Sequence, residues 1–600
     1  MVSLTRAASW LLPITGALAV PTATVVERAV RTATVVIPSP DATVLGNVMN
    51  KVESFGGIPY AEPPVGQLRM RPPKRLSKSL GTFDGTGPAG ACPQFLSSTE
   101  SNNFLFDILG DIANIPWVQD VTGQSEDCLS ITVARPQGTK AGDKLPVLYW
   151  IFGGGFEVFT ISPLTVRPRR RRAQLTLSLV STLQIGWSSM YDGTGLVNYG
   201  VEIGKPFVFV AVNYRVGGFG FMPGKEIEND GSGNAGLLDQ RMGLEWVADN
   251  IAAFGGDPDK VTIWGESAGA ISVCAQMALF DGNNTYNDKP LFRGAIMSSG
   301  SIIPTNPLSS SKGQAVYDQV VKAGGCSDAA DSLECLRGLS YDKFLNAANS
   351  VPHLLSYNSL ALSYLPRPDG RTLTDSPDAL ILAGKYAAVP MIIGDQEDEG
   401  TLFGLFQPAL TTTEKLASYL KDYYFDGATK QELTALINTY GSGLGAVGEG
   451  SPHRTGLLNE IFPGFKRRAA ILGDLVFTLS RRLFLMATTG VNADVPSWSY
   501  LMSQNYGTPI LGTFHGADIL QVFFGIHNNY AAKSMRSYFI NFVHSLDPNG
   551  QGDTGFPEWP RWSDGHKLAQ VFSRRSALLD DNFREDSFHW LAGHIEKLRF

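Results

Sequence analysis

Between Val261 and Ala270 the chain reads VTIWGESAGA: a β-branched and aromatic run stops at Gly265-Glu266-Ser267-Ala268-Gly269, and small helix-forming residues follow. A G-x-S-x-G pentapeptide in that setting describes a serine on a tight strand-to-helix turn, its backbone strained and its hydroxyl projecting above a sheet edge. The glycines two positions either side leave room for the chain to turn. The N–H of Ala268, at the start of the helix, points where an oxyanion would form. Such a turn needs a strand beneath it and a helix behind it, so the chain has to be of the α/β class.

The rest of the sequence agrees. Leu145–Phe152, Phe207–Tyr214, Lys260–Gly265, Gly294–Gly300, Val389–Asp395 and Ser497–Met502 read as strands rich in Val, Ile and aromatics, and Gly236–Phe254 reads as an amphipathic helix. Strand–helix alternation predicts a mostly parallel central sheet with helices on both faces. The 600 residues, 43% hydrophobic and 18% charged, suit one large globular domain, and a net charge of -7 argues against a nucleic-acid partner. Phe465–Met486 is expected to be one long helix with its basic pairs on a solvated face. Gly441–Gly450 contains G-x-G-x-x-G but follows a helix rather than a strand, so it is read as a flexible loop and not a nucleotide site.

The first nineteen residues, with Arg6, an apolar stretch and Ala17-Leu18-Ala19, form a secretory signal pattern too short and interrupted to span a bilayer; residues 20–600 are the expected domain. An oxidising compartment lets Cys92 pair with Cys128 and Cys326 with Cys335, although sequence alone does not fix connectivity. Cys274, in an apolar helical run, is expected to be a buried free thiol, and Asn283-Asn284-Thr285 is an N-glycosylation sequon.

A serine needs a histidine to take its proton and an acid to orient that histidine, in the chain order Ser, acid, His. Asp395, Glu397, Asp398 and Glu399 cluster just past a strand; pattern does not choose among them, and most acids in such a cluster are expected to be solvated. The later histidines are His453, His515, His527, His544, His566, His589 and His594; His515, flanked by small residues, sits in a segment that allows a tight loop. Gly153-Gly154-Gly155, after a core strand, can bring N–H groups to a reacting carbonyl.

Taken together, GGIPYAEPPVGQLR, SEDCLSITV, FGGGFEV, MYDGTGLV, VAVNYRVGGFGFM, the GNAGLLDQ block running into GESAGA, and IIGDQEDEGTLFG resemble the type-B carboxylesterase/lipase family, above all its secreted fungal lipase branch. The resemblance covers nearly everything beyond Asp41. It implies the α/β-hydrolase fold, a triad of Ser267, Glu399 and His515, an oxyanion hole from Gly154, Gly155 and Ala268, and the disulfides Cys92–Cys128 and Cys326–Cys335. It further implies a secreted serine ester hydrolase that cleaves acylglycerols or sterol esters through an acyl-enzyme, with no metal or organic cofactor. The alternatives are a short-chain carboxylesterase without interfacial activation and a catalytically impaired member. In this branch the first disulfide loop carries a lid. Here residues 93–127 hold NFLFDILGDIANIPWVQ, an apolar stretch suited to covering an acyl pocket in water and opening at a lipid–water interface.

One stretch departs from the family. Members run from G-G-G-F-E-V through a few residues to Y-D-G-T, whereas here residues 160–187, including Arg169–Arg172, intervene. The segment has no core-forming period and reads as translated noncoding sequence, a retained intron, between two blocks that join without it. If present in the mature chain, it is expected to be a disordered surface excursion that disturbs Gly154 and Gly155.

Overall fold

The computed structural model describes residues 32–94, 124–157, 191, 193–525, 528–550 and 555–600. The signal pattern, the apolar lid stretch between 95 and 123 and the intervening segment 160–187 lie outside the described residues. The strands are β1 (Thr32–Pro38), β2 (Asp41–Met49), β3 (Val52–Pro59), β4 (Gly81–Asp84), β5 (Ser130–Pro136), β6 (Leu145–Ile151), β7 (Val208–Val212) and β8 (Gly256–Glu266). A small hairpin of β9 (Thr285–Tyr286) and β10 (Lys289–Pro290) precedes β11 (Gly294–Ser298), β12 (Met391–Gln396), β13 (Ser497–Met502), β14 (Lys567–Val571) and β15 (Ser576–Asp580).

All but the hairpin join one sheet in the order β1-β2-β3-β5-β7-β6-β8-β11-β12-β13-β14-β15, with β4 beside β2. From β7 to β14 every neighbouring pair is parallel. The outer ladders are antiparallel except that of β4 on β2, which is parallel. Residue choice follows this plan. β1, at the edge, alternates exposed and buried residues along TATVVIP, whereas VFVAV of β7, GAIMS of β11 and MIIGDQ of β12 bury every side chain. Strands covered on both faces lose the alternation because neither face meets water. Helices Ala235–Asn250 and Ala268–Gly282 pack together against β8, and Thr194–Glu202 packs on Tyr530–Ser545, which lies against β6 and β8.

The two expected disulfides are present, Cys92–Cys128 with Cα atoms 5.0 Å apart and Cys326–Cys335 at 5.8 Å. In the chain-entropy description they restrict the unfolded chain by roughly 4 and 3 kcal/mol. Cys274 is a buried free cysteine, and burial raises its thiol pKa.

Two local expectations need correcting. Gly443–Glu449 is a short helix rather than a flexible loop. The long helix runs Phe465–Gly473, a five-residue π turn Asp474–Thr478, then Leu479–Val491, and its basic residues are not on a solvated face. Lys466, Arg468, Arg481 and Arg482 are buried. Arg481 bonds Asp395 at 2.7 Å and Asp581 at 2.7 and 2.8 Å, Arg482 bonds Asp581 at 2.9 Å, and Arg468 donates to the carbonyls of Gly404 and Leu410. Buried cations persist because acids and carbonyls distant in sequence meet them.

Candidate active site

Topology brings the loops together. β6 pairs with β8 so that Ile151 faces Gly265, and β12 pairs with β13 so that Gln396 faces Met502. The segments leaving the carboxyl ends of these strands therefore converge at one sheet end, where open α/β sheets place their sites.

Ser267 caps the helix Ala268–Gly282 with φ 56° and ψ -125°, a conformation costing on the order of 1–3 kcal/mol for a side-chain-bearing residue. It is held by its own N–H to the Ser298 carbonyl (2.9 Å) and by its carbonyl, which accepts from Ile271 N–H (2.9 Å). The flanking glycines are steric requirements. A Cβ on Gly265 would lie 2.3 Å from the Gly269 backbone, and one on Gly269 would lie 2.1 Å from the Ile151 carbonyl oxygen. The glycine loop after β6 abuts this turn: a Cβ on Gly153 would lie 2.9 Å from the Ser267 Cβ. Gly154 and Gly155 have φ of 109° and 63°.

Each acid of the Asp395–Glu399 cluster has its own partner, and all four are buried, contrary to the expectation of solvation. Asp395 bonds Arg481; Glu397 bonds Arg454 at 2.6 Å; Asp398 accepts from the N–H groups of Thr513 (2.9 Å) and His453 (2.7 Å) and from the Ser451 hydroxyl. Glu399 meets His515 Nδ1 at 2.5 Å, its other oxygen accepting from the Gln396 N–H at 2.7 Å. His515 Nε2 lies 2.8 Å from Ser267 Oγ. With the proton on Nδ1 facing a carboxylate, Nε2 is free to accept from the serine hydroxyl. Phe403 and Phe477 pack on the imidazole, at 5.1 and 4.5 Å between ring centres. Among the other candidates, His453 uses its ring on the Glu449 carbonyl and His594 on that of Trp590, while His527 lies outside the described residues.

Two acids escaped the sequence reading. Glu266, the residue before the serine, places Oε1 3.5 Å from His515 Nε2, and Asp518, three residues past the histidine, is buried beside it, accepting from Tyr500 OH at 3.3 Å. Burial pushes the Glu266 carboxyl up to about 8 and that of Asp518 to about 7; His515 opposes both shifts, while Glu399 reinforces them. For His515, burial disfavours the charged ring, but Glu399 through charge and hydrogen bond, then Glu266 and Asp518, outweigh it and raise the pKa to about 9. Glu266 was legible only as the variable position of G-x-S-x-G, and Asp518 only by its nearness to His515.

Beside Ser267, Gly155 and Ala268 lies a narrow cavity walled by Ile271, Ile303, Leu354, Phe403, Phe477 and other apolar residues. An apolar cavity next to a histidine-bonded serine suits an acyl chain whose carbonyl is attacked at its mouth. Far from this centre, Asn283 is exposed, its side chain accepting from the Thr285 N–H at 2.9 Å. No group of three or more metal-ligating side chains and no helix long and apolar enough to cross a membrane occurs among the described residues.

The sheet, the covering helices and the serine turn at its carboxyl edge are those of an α/β hydrolase. The chain belongs to the carboxylesterase family, whose sequence model matches residues 31–167 and 181–587, and it is accordingly a carboxylic ester hydrolase. It is 59% identical over 570 residues to a secreted triacylglycerol lipase of Gibberella zeae (95% of this chain, 92% of the relative) and 52% identical to secreted lipase 1 of Botryotinia fuckeliana (95% and 94%). Lipase 1 of Geotrichum candidum is 39% identical over 90% of this chain and 92% of its own. Among solved structures, EstA of Aspergillus niger superposes with a TM-score of 0.73 at 27% identity, covering 93% of this chain and 97% of that one.

Proposed function

We propose that this protein is a secreted lipase acting on acylglycerols through a Ser267–His515–Glu399 triad. The observation carrying this reading is the chain of contacts from Glu399 through His515 to Ser267 at the mouth of the apolar cavity. Ser267 attacks the ester carbonyl as His515 takes its proton; Glu399 holds the ring and balances the imidazolium; the N–H groups of Gly154, Gly155 and Ala268 receive the oxyanion. His515 then protonates the leaving alcohol, and water repeats the sequence on the acyl-enzyme. Secretion and the triacylglycerol substrate are supported by the names of the relatives. The Cys92–Cys128 loop is the proposed lid, residues 1–19 the proposed signal, and Asn283 the proposed glycan site.

Ser267→Ala should cost roughly a million-fold in kcat on a soluble p-nitrophenyl ester with folding intact. Activity within tenfold of the parent would sink the assignment. Titrating a long-chain triacylglycerol through its solubility limit tests the lipase reading: a rate jump is expected, and flat kinetics would indicate a short-chain carboxylesterase.

Residues 160–187 are proposed to be absent from the mature enzyme. The support is that the family match is interrupted at 168–180, in the middle of this segment. A spliced transcript that encodes these residues would refute this.

A further inference from the structure

Glu157 is a buried carboxyl that the reaction does not use. It ends the G-G-G-F-E motif and is 2% exposed. Its Oε2 accepts from the Leu354 N–H at 2.8 Å, while Oε1 has no hydrogen-bond partner among the described residues. Burial pushes this acid up to about 8, against the Leu354 N–H bond that favours its charge, so at neutral pH it is mainly protonated. Tyr364 is the titratable side chain that faces it electrostatically.

Both ends of the bond matter. Glu157 closes the glycine turn, its N–H donating to the Gly154 carbonyl at 3.1 Å, and the intervening Phe156, fully buried, accepts at its carbonyl from the Gly217 N–H at 2.6 Å. Leu354 is a wall of the acyl cavity and lies so close to the loop that a Cβ on Gly155 would be 2.9 Å from its Cδ2. The loop is thus clasped by Gly217 on one strut and by Leu354 on another, and the second depends on a single side chain.

We propose that Glu157 is a positioning residue for ester cleavage: its carboxyl, bonded to the Leu354 N–H, ties the loop bearing Gly154 and Gly155 to the acyl-cavity wall and holds those N–H groups on the oxyanion. This rests on the oxyanion role assigned above to the same glycines. A donor out of line weakens transition-state binding more than substrate binding, so the loss falls on kcat. The strut requires an acceptor of the right reach, not a charge.

The test compares Glu157→Gln, Glu157→Leu and Glu157→Asp on a soluble ester, together with inhibition by an alkyl boronic acid, which becomes tetrahedral on Ser267. Glu157→Leu should lose about a hundredfold in kcat, the scale of one oxyanion donor, with KM within threefold and boronate inhibition weakened in parallel. Glu157→Asp, one methylene short of Leu354, should lose about tenfold, and Glu157→Gln, which keeps the acceptor, should stay within fivefold of the parent. A folded Leu variant with kcat and boronate affinity within threefold of the parent overturns the proposal, as does a Gln variant as impaired as Leu. If the Leu variant does not fold, the Asp variant decides on the same criteria. Should the parent enzyme itself fail to bind the boronate at Ser267, the active-site reading fails instead, and the two failures stay distinguishable.

Discussion

His515 is surrounded by more acids than a triad needs. Burial works against its protonation, yet Glu399, Glu266 and Asp518 together bring its pKa to about 9, above the ordinary histidine value of 6.5. As the proposed general base it acts only when neutral, so kcat/KM should climb with pH well above 7. Glu266 is charged only in the upper part of that range, since burial pushes it to about 8. Replacing it by glutamine removes a negative charge 3.5 Å from Nε2, which disfavours the imidazolium and moves the ascending limb to lower pH. A pH–rate profile of Glu266→Gln with its limb unmoved, or displaced upward, would refute this account. At this scale the turn that carries Ser267, the proposed nucleophile, was legible from sequence, because strand, glycines and helix around it describe one turn. The acid was not. Asp395, Glu397, Asp398 and Glu399 are alike in composition and all buried, and only the position of Arg481, Arg454, the Thr513 N–H and His515 tells them apart. Family resemblance, rather than pattern, singled out Glu399 and His515.

Among the elements, the helix pair Phe465–Val491 departs furthest from its sequence pattern. Basic pairs at helical spacing resemble a wet face, yet Arg481 is buried between Asp395 at the end of β12 and Asp581 after β15. Amphipathicity records which residues are polar and says nothing of acids delivered from 86 and 100 positions away. Through Asp395, Arg481 also steadies the strand that leads into the turn bearing Glu399. Arg481→Met leaves buried Asp395 without its cation and Asp581 with Arg482 alone, and such one-sided removals cost about 3–5 kcal/mol. Chemical denaturation should show a loss of that size; a loss below ~1 kcal/mol would mean the network is not what anchors this helix. The strands were the opposite case. Buried runs such as VFVAV of β7 and the Met391–Ile393 start of β12 announced themselves, since a strand covered on both faces is apolar through most of its length.

For the molecule as a whole, the same buried acids that serve the site set an opposing demand on stability. Glu266 and Glu157 are raised to about 8, and Asp518 and Asp398 to about 7, in each case chiefly by burial. The folded protein therefore keeps protons that the unfolded chain has released above about pH 4–5. Each such group contributes stability that is full below its unfolded pKa and lost as pH rises through its folded one. His515, raised to about 9, adds to this loss at still higher pH. On the acid side His353 and His453, lowered by burial to about 4 and 3, act the other way, since the unfolded chain binds their protons first as pH falls below 6.5. The four raised acids outnumber these two histidines, so stability should decline from about pH 5 toward pH 9, the upper part of which is the range in which neutral His515 is expected to make the enzyme faster. Asp518→Asn removes one of these protons from the balance: Asp518 is buried, one carboxyl oxygen without a hydrogen-bond partner among the described residues and the other on Tyr500. The fall in Tm between pH 6.5 and 9 should be smaller in Asp518→Asn than in the parent, with both measured in the same buffers. A parent Tm that stays level or rises over that interval would show that these acids are already ionised in the fold, and that the charge cluster around His515 is hydrated rather than dry.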